Sequence, residues 1–431
     1  MYQSGKPIGF WSAVSLGVGS MVGAGIFALL GEAGSLAGSA AYISFIIGGV
    51  IALFSGYSLG KLGVRYPAAG GIVEYLAQAY GIGLFTGAMS IMLYISALVS
   101  LSLIAKAFGS YAFTFLPSDS APYWRPVFTA GIVILFVLVN LKGSKDVALW
   151  ERITVSIKFS ALLILAGAGI IYLRPELLSP SLYPPTSNIF YSLAITFFAY
   201  EGFRVITNAV EDIPNPEKTL PRAMTVSILL VMVLYIAVSF AVFGNLPLDR
   251  VVAAKEYVLA EAARPLLGST GFTIIAVAAL ISTASSINAN LFAVTNVTYQ
   301  LAKEGELPSE FGEPIAHSRE GLLISGVLVI LLGLSLDLSQ IAVLGSISIL
   351  FVHGVTHIGH LRVASQTGAS IFLVALAAVL SFTAMLLTLY YQAHQSASVI
   401  WMLAAFVVIA VVLEYSLQRF ARREITPRTP E

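Results

Sequence analysis

The chain has 431 residues, of which 58% are hydrophobic and 10% charged, with a net charge of +1 and no cysteine; its mean hydropathy is +0.88. An ordinary soluble domain carries roughly 25% charged residues, so this composition excludes a soluble globular protein and predicts an all-α polytopic membrane protein. Near-zero net charge gives no basis for a nucleic-acid partner, and the lack of cysteine excludes disulfides and thiol chemistry.

The leading MYQSGKPIGF is too short and polar for a signal peptide. The apolar run after it has no small-residue cleavage site, so it is predicted to stay as a membrane helix. About 20 apolar residues cross a bilayer. By that measure twelve spans fall at 10–30, 40–62, 84–114, 126–141, 152–173, 188–210, 223–244, 271–301, 321–336, 339–358, 369–391 and 397–418. The charged, amphipathic segment 249–267 predicts a helical loop lying on the surface. With the N-terminus inside, fifteen Lys and Arg fall on the inner side and five on the outer. That bias predicts both termini in the cytoplasm, and the short extra-membrane loops fit a prokaryotic plasma (inner) membrane.

Span one holds GSMVGAGIF, residues 19–27. Each glycine costs a helix about 1 kcal/mol relative to alanine, so the stretch reads either as a deliberate break or as a surface for close helix packing through Gly19 and Gly23. Span six holds Tyr200-Glu201-Gly202 about ten residues from its start, followed by Arg204. Irregular backbone at membrane depth is tolerated where it lines a cavity, and ionisable groups there face a cavity or each other. Interrupted helices at corresponding places in two five-helix halves point to a transporter site. The expected site uses backbone. The amides of Val22, Gly23, Ala24 and Gly25 would cradle a carboxylate, helped by the helix dipole, and carbonyls near Phe198, Ala199 and Tyr200 would take an ammonium. A zwitterionic amino acid carries one of each.

Four motifs taken together, GSMVGAGIF, FFAYEGF, EDIPNPEKTLPRA and SSINANLFAVTNVTYQLAKEGELP, resemble the amino acid–polyamine–organocation (APC) transporter superfamily across at least the first ten spans. The resemblance implies the fold of the sodium-coupled leucine transporter type. In this fold spans 1–5 (residues 1–173, span one broken near 22–25) and spans 6–10 (residues 174–366, span six broken near 199–203) form an inverted repeat. Spans eleven and twelve with the tail (367–431) are then peripheral. It also implies an amino acid substrate at the two breaks, with Glu201 and Gly202 beside it.

Lys158 lies inside span five, seven residues or about 10 Å of helix from the inner-edge Glu151. It reads as a snorkelling lysine or as a buried amine that takes up and releases a proton. Some proton-coupled APC members place such an ammonium where relatives hold sodium. The resemblance then implies partners at the carbonyls near Gly19 and Val22 and at Ser282 and Ser285. Glu201 and Arg204, three apart, read as an ion pair or as a place for Glu201 to meet a cationic substrate or a proton. Phe198 and Tyr200 are expected to face the site. His353, His357 and His360 share one helix face and predict an interfacial polar surface or a modest pH sensitivity. No metal site and no cofactor is expected. Lys106 is expected to snorkel.

These readings converge on a proton-coupled amino acid symporter of broad specificity, monomeric or dimeric, working by alternating access. The alternatives are an amino acid or amine exchanger without ion coupling and a sensor that binds without transport. A membrane enzyme is disfavoured, because the spans hold no paired carboxylates and no nucleophile motif.

Overall fold

The computed structural model of the protein describes residues 7–68, 70–117, 119–142, 147–303, 309–316, 318–395 and 397–420. The charges expected at Lys6, Lys145, Arg422, Arg423 and Arg428 lie outside the described residues. Without water in the bilayer core, a spanning backbone must bond to itself, and the apolar runs accordingly form helices. They are α1 (Phe10–Ala37), α2 (Ala41–Arg65), α3 (Ile72–Tyr80), α4 (Leu84–Phe113), α5 (Trp124–Lys142), α6 (Val147–Ile171), α7 (Thr186–Tyr191) and α8 (Leu193–Tyr200). There follow a 3-10 segment (Glu201–Asp212), α9 (Pro216–Phe243), α10 (Leu248–Ala253), α11 (Val258–Lys303), α12 (Glu320–Ser335), α13 (Leu338–Thr367), α14 (Ile371–Gln395) and α15 (Ala397–Phe420). Helix covers each of the twelve expected segments. Ten helical stretches among the described residues are long and apolar enough to cross a membrane; α12, with 16 residues, is shorter than the usual span.

Burial sorts the helices. α1, α8 and α13 lie in the core, whereas α5 and α15 turn Ile134, Leu135, Leu138, Trp401, Val408 and Val412 outward, as helices facing lipid do. α1 packs on α8, on the 3-10 segment, on α9 and on α11; α2 packs on α9; and α13 packs on α2, α4 and α14. α13 starts at a capping box, in which Asp337 accepts from the Gln340 amide at 2.8 Å and the Gln340 side chain accepts from the Asp337 amide at 3.0 Å. The box satisfies two of the helix's free donors.

Two expectations need correction. Lys106 does not snorkel: its ammonium donates to the carbonyls of Gly333 (3.1 Å) and Leu336 (2.6 Å) and so caps the C-terminus of α12. Those carbonyls have no helical partner, and a cation is favoured at the negative end of the dipole. The segment 249–267 is helical as expected, but it does not lie on the surface throughout: Val258, Leu259, Ala260, Ala262 and Ala263 are buried. It forms α10, a short 3-10 turn (Lys255–Tyr257) and the first turns of α11, which bends at Gly268 in a left-handed conformation (φ 68°). The turn is bolted down. Lys255 donates to Ser339 Oγ (2.7 Å) and stands 3.4 Å from the buried Glu32 carboxylate, which itself accepts from Ser339 (2.6 Å). Glu256 accepts from Ser110 (2.8 Å) and pairs with Arg125 (3.3 Å). One turn thereby ties together α1, α4, α5 and α13 at the end opposite the chain's N-terminus.

Candidate functional site

The two halves of the expected break behave differently. Span six is interrupted: α8 ends at Tyr200, and the chain continues from Glu201 as a 3-10 helix of 12 residues. Runs of that length are uncommon, and a change of helix type inside a span marks strain or a hinge. Span one is not interrupted. α1 stays α-helical from Phe10 to Ala37, so the backbone of Val22, Gly23, Ala24 and Gly25 is engaged in the helix in this state. The glycines are used for close approach instead. A Cβ on Gly25 would strike the Ala199 carbonyl, with the carbonyl carbon at 3.0 Å; a Cβ on Gly202 would strike the Met21 amide and lie 2.6 Å from the Ser20 carbonyl carbon. α1 and the α8/3-10 junction therefore touch backbone to backbone, and only glycine permits it.

Tyr235 of α9, not singled out in the sequence, stands at this crossing. Its hydroxyl lies 2.8 Å from the Met21 carbonyl and 3.1 Å from the Ala199 carbonyl. One proton serves one acceptor at a time, so the hydroxyl holds whichever of the two helices is nearer. The only sequence signal was a tyrosine in the otherwise apolar run LLVMVLYIAV. Phe198 is buried, with its ring over Gly345 of α13. The Tyr200 side chain turns away from α1: its hydroxyl donates to the Phe45 carbonyl of α2 at 2.9 Å, and its ring packs on Tyr235 with centroids 5.1 Å apart. Tyr200 thus meets the crossing through its ring on Tyr235 and not by facing α1, because the helix turn that aims Phe198 at α13 aims the Tyr200 hydroxyl at α2.

On the other side of α1, Lys158 of α6 is 2% exposed and donates to the Gly19 carbonyl at 2.6 Å. The interface is not where its charge goes, which removes the snorkelling alternative. From α11, Ser282 reaches the Gly23 carbonyl at 3.5 Å, a long bond. Ser285 stands 3.1 Å from Thr154 of α6. The residue over Gly23 is Ser286, whose Oγ occupies the place of a Cβ there, with Lys158 Nζ 3.1 Å from the same point. Sequence reasoning chose Ser285 and missed Ser286 and Thr154. Neighbouring serines face different sides of a helix, and their spacing alone does not say which side meets α1.

Glu201 and Arg204 form the ion pair expected at that spacing. Glu201 has a second contact. Its Oε2 faces His353 Nε2 of α13 at 3.3 Å, and among the described residues neither atom has a hydrogen-bond partner. A pair that served only itself would tolerate exchange of its charges; this one is expected not to. Glu201→Arg with Arg204→Glu would aim a guanidinium at His353 and leave a buried group unpaired, at a cost of about 1–3 kcal/mol. The double variant should stay as inactive in counterflow as Glu201→Arg alone, and restored transport would reduce Glu201–Arg204 to a self-contained pair.

The histidine face also departs from expectation. His353, His357 and His360 are fully buried, not interfacial, because α13 runs through the core and lays them on two serines of α2. Ser55 Oγ lies 2.7 Å from His353 Nδ1 and 3.0 Å from His357 Nε2. Ser58 Oγ lies 2.9 Å from His357 Nδ1 and 2.8 Å from His360 Nδ1.

Comparison with known proteins agrees with this architecture. The sequence profile of the amino acid permease family matches residues 8–413. Among curated relatives, an uncharacterized protein of Methanocaldococcus jannaschii is 36% identical over 100% of this chain and 98% of its own. The inner membrane transport protein YbaT of Escherichia coli is 35% identical over 94% of this chain and 95% of its own. The serine/threonine exchanger SteT of Bacillus subtilis is 27% identical over 72% of this chain and 71% of its own. A helical membrane architecture whose profile match runs almost end to end, with a helix-type switch buried in the sixth span, has one reading: the chain belongs to the amino acid permease family of the APC superfamily and is an integral membrane transporter, not an enzyme.

Proposed function

We propose that the protein is a proton-coupled amino acid symporter. The observation that carries this reading is the buried Lys158 ammonium on the Gly19 carbonyl. A lysine sealed at the junction of α1, α6 and α11 is a removable cation: protonated it ties the three helices together, and deprotonated it releases the carbonyl. Gly19, Ser282 and Ser285 belong to this proton-coupling group in our reading, with Ser286 and Thr154 added by the geometry.

The substrate binds, in this proposal, where α1 crosses the α8/3-10 junction. Val22, Gly23, Ala24 and Gly25 offer amides to the carboxylate. Carbonyls at Phe198, Ala199 and Tyr200 receive the ammonium, with Glu201 and Gly202 beside them. The described state is closed there, since Gly25 rests on Ala199. Binding therefore requires α1 and α8 to part, and Tyr235 is the residue that must let go. The pairing of α1 with α8 and of α2 with α9 supports the inverted repeat of residues 1–173 and 174–366 in a twelve-span chain, with α14 and α15 outside it. Spans 1, 2, 6 and 7 would rock against 3, 4, 8 and 9. The inner-membrane name of one relative and the charge bias support a plasma-membrane location with both termini inside.

The test is uptake of a radiolabelled amino acid panel into sodium-free proteoliposomes with and without an inward proton gradient. Uptake raised by the gradient supports symport and names the substrate class. Uptake only into vesicles preloaded with amino acid would replace it with exchange, the activity named for one relative. Binding without transport would leave a sensor.

A further inference from the structure

The three histidines do not merely fill the α2–α13 interface. With Ser55, Ser58 and Thr367 they form an unbroken chain of contacts from Glu201 to the end of α13: 3.3 Å from Glu201 to His353, then 2.7, 3.0, 2.9 and 2.8 Å through Ser55, His357 and Ser58 to His360, and 2.8 Å from His360 Nε2 to Thr367 Oγ1. All but the first are good hydrogen bonds. Thr367 is half-buried at the turn where α13 stops.

The proton positions follow from one end. The Thr367 hydroxyl donates to the Ala364 carbonyl at 3.1 Å, so it accepts from His360, which must carry its proton on Nε2. His360 Nδ1 is then bare and accepts from Ser58. Ser58, having spent its proton, accepts from His357 Nδ1. His357 Nε2 accepts from Ser55, and Ser55 accepts from His353 Nδ1. Every donor points towards Thr367, and every ring but the last is neutral and satisfied. The remainder collects at one place. His353 Nε2 and the Glu201 carboxylate face each other with a single proton to share, and His353 Nε2 and Glu201 Oε2 are both buried without a hydrogen-bond partner among the described residues.

We propose that Glu201, His353, Ser55, His357, Ser58 and His360 are a proton relay, through which the span-six junction exchanges a proton with the compartment at the Thr367 end while the substrate crossing stays closed. The step balances. His353, protonated on both nitrogens, gives its Nδ1 proton to Ser55, whose own proton moves to His357 Nε2. His357 gives its Nδ1 proton to Ser58, whose own moves to His360 Nδ1. His360 gives its Nε2 proton to Thr367, whose own leaves to water. One proton enters at Glu201, one leaves, and each ring ends neutral in its other tautomer. The groups facing the chain are Glu201 and Arg204 from the 3-10 segment, Lys61 of α2 at the His360 end, and Tyr80 of α3, whose hydroxyl donates to the Val355 carbonyl. The Phe197 and Phe203 rings stand edge-on to His353, with centroids 5.5 and 6.0 Å away. The relay's use in transport rests on the proton-coupled reading above; its existence does not.

The experiment is therefore one that does not need transport. The full chain, labelled with 15N-histidine and held in lipid vesicles, is read by solid-state NMR, with the rings assigned by single His→Gln variants. The expected spectrum has His360 protonated on Nε2, His357 on Nδ1 and His353 carrying the shared proton. Ser58→Ala should abolish the opposed tautomers of His357 and His360 and slow solvent exchange of the His353 proton roughly 100-fold, the low end of what a positioned proton donor contributes. Ser58→Thr should restore both. Ser55→Ala cuts the chain one step earlier and serves if Ser58→Ala fails to fold. Identical tautomers at His357 and His360, or unchanged exchange in the cut variants, would overturn the relay. If gradient-driven uptake persists while the relay fails, symport stands without it; if tautomers and exchange match but no gradient effect is seen, symport alone falls.

Discussion

Lys158→Ala is expected to lose the stimulation of uptake by an inward proton gradient while keeping amino acid counterflow. The ammonium makes a 2.6 Å bond to the Gly19 carbonyl in a buried setting. A hydrogen bond to a charged group contributes about 1.5–3 kcal/mol, or roughly 10- to 150-fold in the balance between the tied and released states. Removing it leaves the helices free to exchange substrate but without the tie that a proton at Lys158 makes and breaks. Lys158→Arg sharpens the test. Arginine does not deprotonate in a protein, so the tie should become permanent and counterflow should fall as well. Gradient-driven uptake at the wild-type level in Lys158→Ala would sink the coupling role and leave the lysine structural.

The second large effect concerns the backbone contact between α1 and span six. Gly25→Ala and Gly202→Ala each place a methyl against main chain, the Ala199 carbonyl in one case and the Ser20–Met21 peptide in the other. Main chain cannot swing aside as a side-chain tip can, so the helices must separate. Overpacking of this kind costs typically 1–3 kcal/mol. Thermal unfolding in detergent, followed by loss of the monodisperse peak, should show both variants clearly less stable, with uptake lost because the crossing no longer closes. The control is in the same protein. Gly131 and Gly167, in α5 and α6, have open space where a Cβ would stand, and alanine there should be neutral or stabilising by up to about 1 kcal/mol. Equal tolerance at all four sites would mean that the crossing is not a tight contact.

Both predictions turn on the same glycine-rich stretch and show what a sequence conveys about it. GSMVGAGIF is legible as unusual because three glycines oppose the helix that its apolar context demands. Whether they break the helix or let another backbone approach is a question about the neighbour. In the described state the neighbour is Ala199, and the helix stays whole. Span six could be read more fully, since Glu201 and Arg204 mark a point at membrane depth where something other than lipid must receive them, and the helix type changes at Glu201.

The sequence by itself determined the class, the helical segments and the depth of Lys158, because the bilayer admits few structures and charges inside it are costly. It also placed His353, His357 and His360 on one face, since that follows from the helical repeat. Only the tertiary structure decided what each face meets: Ser286 and not Ser285 over Gly23, Tyr235 between two carbonyls, and Ser55 and Ser58, about 300 residues earlier in the chain, beneath the three histidines. The reason is physical. Periodicity sets the angles of side chains about one axis, but the rotation of one helix against another is set by how all their surfaces pack at once, and no single segment contains that information.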